Sequence, residues 1–238
     1  MQTGETSRVG SWDATGEAAR APRAGVTSVD SRGEATRNTI IEVAVRLFAE
    51  QGVLAVSNRQ IGAAAGRGNT SVVGYYFANK ADLVRAVMRR FMERVSVGRE
   101  RRIAQLGDAP DLRGWVTCLV FPYTELLDAE GPPTWHARFI AQVLTDPGLR
   151  ETAVEEATSQ PIQRILDGLR ECLPDLPDRV LEDRSRIASH VIVQMCAERE
   201  RSLADGQPVH PPTWDEAATG LVDVLVGMWT APVTTTED

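Results

Sequence analysis

An all-α protein is predicted by three features of this 238-residue sequence. Apolar residues recur at helical spacing, Pro and Gly interrupt them at intervals, and no stretch alternates as a half-buried strand would. Two short helices joined by a glycine-containing turn, near the N-terminus, have the helix-turn-helix pattern. The layout is an N-terminal three-helix domain over residues 34–82, a fourth helix continuing to about 105 as a connector, and a C-terminal helical bundle over 106–238.

Residues 1–33 are rich in Gly, Ser, Thr, Ala and Arg and carry no sustained apolar period. They are expected to be a disordered tail, with order beginning near Glu34. Over 35–51, Ile40, Ala44, Leu47 and Phe48 form one stripe, broadened by Ile41, and Gly52 stops the helix. Ser57 and Gln60 have capping-box spacing, so a short helix follows through Ile61 and Ala63 to Ala65, ended by Gly66. The three alanines are small enough to let two helices approach closely. Arg67, Gly68 and Asn69 make a turn. Asn69 or Thr70 caps the next helix, which runs to about Tyr76.

Asn79 caps the fourth helix, whose apolar face is Leu83, Ala86, Val87, Phe91 and Val95. Breaks at Pro and Gly then divide the rest into helices of about 111–129, 133–145, 149–173, 177–204 and 213–230. Pro122 lies inside one of them and is expected to kink it.

The net charge of −7 is unevenly spread. Residues 34–105 hold twelve basic and six acidic residues, whereas 106–238 hold ten and twenty-three. A locally basic domain binds phosphate even in an acidic protein; a solvated helix surface accounts for the same charges. Cys118, Cys172 and Cys196 are too far apart for a metal motif and odd in number, so free, buried thiols are expected. No apolar run approaches the ~20 residues that span a bilayer, and the start lacks a basic-then-apolar leader. A cytoplasmic protein with no membrane partner is expected.

The segment 66–83, reading Gly66-Arg-Gly-Asn-Thr-Ser-Val-Val-Gly-Tyr-Tyr-Phe-Ala-Asn-Lys-Ala-Asp-Leu83, resembles the signature of the TetR family of transcriptional regulators. There a recognition helix ends in Tyr-x-Phe, here Tyr75 and Phe77, and x-x-Lys-x-x-Leu opens the next helix, here Lys80 and Leu83. Ile61 to Gly66 is similar to that family's second helix, and Arg46 to Gly52 to the end of its first. Gly66 and Phe77 stand eleven apart, one more than the commonest family spacing.

The resemblance implies a homodimeric, sequence-specific DNA-binding regulator. It would be a repressor that leaves a palindromic double-stranded operator when a small apolar or amphipathic effector binds. The residue chemistry fits. Thr70 and Ser71, at the start of a helix in the major groove, reach bases or phosphates, with Asn69 beside them. Gly74 permits close backbone approach, and Tyr75 and Tyr76 offer hydroxyls to phosphate. Lys80, the single lysine among twenty-six basic residues, sits at a helix N-terminus where a phosphate could be shared. Arg59 and Arg67 are further phosphate candidates.

For the C-terminal domain the resemblance implies a ligand cavity and a dimer interface. Trp115, Cys118, Phe121, Trp135, Phe139 and Met195 are candidate ligand contacts, although the same residue types fill cores. The last two helices are the expected interface, with Leu221, Val224, Leu225 and Met228 facing a partner. Two alternatives are a helical enzyme and a protein-interaction module without DNA binding. His136, His190 and His210 belong to no catalytic or metal-binding motif, so no enzyme, cofactor or metal site is expected. The interaction module leaves the helix-turn-helix unexplained.

Overall fold

The computed structural model describes residues 26–66 and 71–234. Two compact units divide the chain, residues 1–35 and 36–238. Of the first, residues 26–35 are described, and all are helical. Among the described residues there are ten helices and no strand: α1 (Val26–Gln51), α2 (Asn58–Ala64), α3 (Val72–Tyr76), α4 (Lys80–Ile103), α5 (Leu112–Glu130), α6 (His136–Thr145), α7 (Arg150–Ala157), α8 (Gln160–Cys172), α9 (Asp178–Ala204) and α10 (Trp214–Thr230).

The helix boundaries follow local chemistry. Gly52 takes a φ of 97° and its N–H donates to the Phe48 carbonyl at 2.9 Å, which ends α1 in the left-handed conformation glycine tolerates. The Ser57 capping box forms in full: Gln60 N donates to Ser57 Oγ at 3.3 Å, and Ser57 N donates to Gln60 Oε1 at 2.8 Å. Asn79 and Asp111 cap α4 and α5 by accepting from Asp82 N and Gly114 N. A second capping box, Thr213 with Glu216, opens α10. Each such cap contributes about 1 kcal/mol.

Two expectations about boundaries change. Residues 1–25 of the expected tail lie outside the described residues, but α1 already begins at Val26 rather than near Glu34. A formed helix extends by one hydrogen bond per residue without needing an apolar face, and apolar periodicity is blind to that extension. The single helix expected over 149–173 is two, α7 and α8, broken at Thr158–Ser159. Pro161 is the reason: its ring is accepted in the first turn of α8, where no intrahelical N–H is needed, and not in the middle of a longer helix.

In the second unit α4 packs on α5, α7 and α8, α10 packs on α5 and α9, and α6 packs on α7 and α9. Two glycines allow the close approaches. A Cβ on Gly98 would lie 2.9 Å from Pro122 Cβ, and one on Gly168 would lie 2.1 Å from the Trp115 indole. Pro122 therefore serves α5 as a flat contact for α4, and α5 runs through it as one helix. Phe48 of α1 stacks on Phe139 of α6 with centroids 5.9 Å apart. Beside this stack, Gln142 of α6 donates to the Ala49 carbonyl and accepts from Val53 N, both at 3.2 Å. The end of α1 is thus fastened to the C-terminal bundle.

Candidate nucleic-acid interface

α2 and α3 are short, so their placement depends on a few anchors. Ile61 and Gly62 of α2 are buried, as are Val73 of α3 and Phe77, which caps its C-terminus. The buried small residue of α2 is Gly62 rather than the alanines: Ala63 and Ala64 are exposed and Ala65 is half-buried. With Val73 and Phe77 turned inward, the helical period turns Ser71, Gly74 and Tyr75 outward, and all three are exposed.

Tyr75 is 83% exposed, unusual for a large aromatic in a folded domain. Tyr76 is half-buried and meets Tyr75 edge to face at 5.0 Å, so the Tyr75 ring is braced while its hydroxyl stays free to reach outward. A Cβ at Gly74 would meet nothing within 4 Å, so the outer surface of α3 is open at its centre. Arg59, exposed on α2, has no partner among the described residues. Arg67, Asn69 and Thr70 lie outside the described residues.

Lys80 differs from expectation. Its ammonium donates to the carbonyls of Val56 at 2.7 Å, Val53 at 3.0 Å and Leu54 at 3.3 Å. A lysine has three donors, so none is left for a phosphate in this arrangement. The physical reason lies in the loop after α1, whose carbonyls have no helical partner and converge on the nearest cation. Lys80 and Gln142 between them hold the connection from α1 to α2.

Charge also acts differently from its distribution along the chain. The arginines of α4 are mostly paired with carboxylates: Arg85 with Asp82, Glu155 and Glu156, Arg89 with Glu156 at 2.8 Å, Arg90 with Glu42 at 2.8 Å, Arg94 with Glu130, and Arg102 with Glu125. The excess of basic residues over 34–105 therefore largely binds the bundle together. Arg37 was not singled out by the sequence. Exposed on α1, it lies over the Phe77 ring at 5.2 Å, beside the end of α3. Only the fold brings these two residues, forty positions apart, together.

The C-terminal candidates disperse. Phe139 is buried against Phe48, Trp115 lies on Gly168, and Phe121 sits beneath the Arg102 guanidinium at 4.5 Å. Trp135 borders a cleft with Phe91 and His136, Cys118 is buried in the core, and Met195 is 52% exposed. The structure does not gather these six into one cavity. Arg99, Tyr123 and Trp229 line one together, and of these Arg99 had nothing but ordinary helical spacing to mark it in the sequence.

Of the four interface candidates, Leu221 and Leu225 are buried within their own chain and Met228 is half-buried, whereas Val224 is 60% exposed. α10 spends one apolar side on α5 and α9, and the unpaired side lies elsewhere. Val224, with Ala217 and Gly220, joins Val191 and Met195 of α9 in an apolar groove of about 330 Å³. Ile187, also on α9, is 47% exposed.

The three cysteines are free, with Cys118 and Cys196 buried and Cys172 half-buried. Burial pushes all three thiols up. Among the described residues no group of three or more His, Cys, Asp or Glu is placed to hold a metal, and no helix is long and apolar enough to cross a membrane.

Two family models match the chain: residues 40–87 match the bacterial regulatory proteins of the tetR family, and residues 117–228 match the tetracyclin repressor-like C-terminal domain. The fold is similar to a tetR family transcription regulator from Shewanella sp. PV-4, with a TM-score of 0.59 and 17% identity over 82% of this chain and 95% of that one. It is similar to the fatty acid degradation regulator FadR of Bacillus halodurans, with a TM-score of 0.57 and 17% identity over 80% and 97%. FadR of Bacillus subtilis, in complex with stearoyl-CoA, gives 0.53 and 19% over 80% and 97%. No curated protein matches the sequence. With a helix-turn-helix matched at one end and the corresponding C-terminal domain at the other, this chain belongs to the TetR family of DNA-binding transcriptional regulators.

Proposed function

We propose that the protein is a cytoplasmic homodimeric repressor whose two α3 helices enter successive major grooves of a palindromic operator, about 34–36 Å apart. The observation that carries this reading is the outward face of α3. Ser71, Gly74 and Tyr75 form a small, polar, open surface held from behind by Val73 and Phe77. Ser71, with Asn69 and Thr70, addresses base edges. Tyr75, Tyr76, Arg37, Arg59 and Arg67 address phosphates, which fix register without specifying sequence. The dimer forms through the α9/α10 groove around Met195 and Val224.

A small-molecule effector bound in the C-terminal domain would shift the population toward an arrangement that spaces the two α3 helices wrongly for DNA. The fold can hold such molecules, since the B. subtilis FadR structure contains stearoyl-CoA. The test is selection of duplexes from a random pool with the full chain, followed by sequencing. An inverted repeat supports the reading, and an unenriched pool overturns it.

A further inference from the structure

We infer that the pocket lined by α4, α5, α7, α8, α9 and α10 is a binding site for a small organic anion, gripped by Arg99 and carrying an apolar body about the size of one ring or a short alkyl chain. This deepens the effector reading above and rests on it.

The cavity is about 170 Å³, close to the ~150 Å³ void known to take benzene. Its walls are apolar where Met92, Leu119, Ile162, Leu166 and Ile192 line it. Three donors on its lining have no partner among the described residues: Arg99 through Nε and Nη1, Tyr123 through its hydroxyl and Trp229 through Nε1. All three side chains are almost wholly buried, at 7%, 3% and 1% exposed. Buried polar groups are normally hydrogen-bonded, and an unpaired buried cation is the costliest exception.

The fold handles its other buried arginines differently. Arg138 meets the Glu200 carboxylate at 3.3 Å and the Thr134 carbonyl at 2.9 Å. Arg199 donates to the carbonyls of Pro211 and Pro212 and lies over Trp214. Among the described residues Arg99 meets neither a carboxylate nor a carbonyl. Burial pulls its pKa down to about 10, and no carboxylate offsets this; it still carries its charge at neutral pH. Water would satisfy the hydrogen bonds without neutralising the charge. A carboxylate does both, taking two parallel bonds from the guanidinium fork and leaving its apolar part for the apolar walls. The occupant would also act on the rest of the molecule. Arg99 and Lys80 share the rigid helix α4, about 28 Å apart at 1.5 Å per residue, and Lys80 fixes the loop that leads into α2.

The experiment uses the full chain and the probes octanoate, benzoate and acetate, with octanol and benzyl alcohol as uncharged counterparts, read by calorimetry and thermal shift. Octanoate or benzoate is expected to bind saturably and at least tenfold more tightly than acetate or the matching alcohol. Arg99→Met is expected to abolish carboxylate binding while raising the melting temperature without probe, because it removes an unpaired buried charge. Tyr123→Phe, a smaller change, is expected to weaken carboxylate binding severalfold. If neither octanoate nor benzoate binds, or if Arg99→Met binds them as wild type does, the inference is overturned. Acetate binding as tightly as octanoate removes the apolar body from it. DNA binding by the wild type is measured separately: a protein that binds carboxylate but no DNA keeps the site and loses the regulator reading, and the reverse loses the site alone.

Discussion

The Lys80 ammonium donates to the Val56 carbonyl at 2.7 Å, tying the start of α4 to the chain entering α2. Two further carbonyls, of Val53 and Leu54, complete its coordination. Lys80→Ala leaves three loop carbonyls without this donor, so it is expected to cost about 1.5–3 kcal/mol, in the range of hydrogen bonds to a charged group. DNA affinity falls through loss of helix placement. The slope of log affinity against log salt is expected to stay the same, since no counterion-releasing phosphate contact is lost. Melting curves and a salt titration check both, and a slope shallower by about one per subunit would return Lys80 to the phosphates.

Leu225 and Val224 are neighbours with opposite roles. Leu225 is fully buried and Val224 is 60% exposed. Leu225→Asp is expected to unfold the domain by burying a charge. Val224→Asp is expected to keep the melting temperature within a few degrees while shifting sedimentation from dimer to monomer. A Val224→Asp protein that remains dimeric removes the α9/α10 groove from the interface.

Gly168 faces the Trp115 indole with no room for a methyl group. Gly168→Ala is expected to destabilise by about 1–3 kcal/mol through overpacking, even though alanine is the better helix former. Denaturant midpoints measure this, and a neutral or stabilised variant would show that α5 and α8 separate easily.

The Glu130 carboxyl is held below the usual carboxylate range. Burial alone would raise it, but hydrogen bonds and charge from His136 and Arg94 outweigh that. His136 Nδ1 lies 3.0 Å away, and its ring stacks on Phe91 at 4.5 Å. A depressed acid stabilises the fold fully above its unfolded pKa of about 4.3, and that contribution disappears as pH falls through the lower folded value. The stability gap between wild type and Glu130→Gln should therefore narrow on acidification below about pH 4.3. Urea unfolding at several pH values checks it, and a constant gap would place the effect elsewhere.

Much of the fold was legible in the sequence because its helix ends are written in local chemistry. Ser57 with Gln60, Asn79 with Asp82, and Gly52 all act within four residues of themselves. The helix-turn-helix was legible for the same reason. The break at Ser159 was legible in principle from Pro161, but continuous apolar periodicity concealed it. Whatever depends on distant partners was not legible. Nothing near Lys80 in the sequence announces the Val56 carbonyl, the α4 arginines pair with Glu130 and Glu156 across 36 and 67 positions, and Arg37 reaches Phe77 only through the fold. The six ligand candidates lie apart for a related reason, because core and cavity draw on the same apolar residues, and a buried donor without a partner among the described residues, such as Arg99, is what separates them.

If the exposed face of α3 reads DNA, the loss of Tyr75 shows it. The measurement is the affinity of wild type, Tyr75→Ala and Ser71→Ala for a selected inverted repeat and for a scrambled duplex of equal length, at one fixed salt concentration. Tyr75 is 83% exposed, so its removal is not expected to affect folding. Wild type is expected to prefer the inverted repeat by roughly a thousandfold or more. Tyr75→Ala should weaken both duplexes by a similar factor of about ten, as loss of a phosphate contact does, and Ser71→Ala should narrow the preference between them. Equal affinity of wild type for the two duplexes, or full wild-type affinity and preference in both variants, would mean that this face does not read DNA.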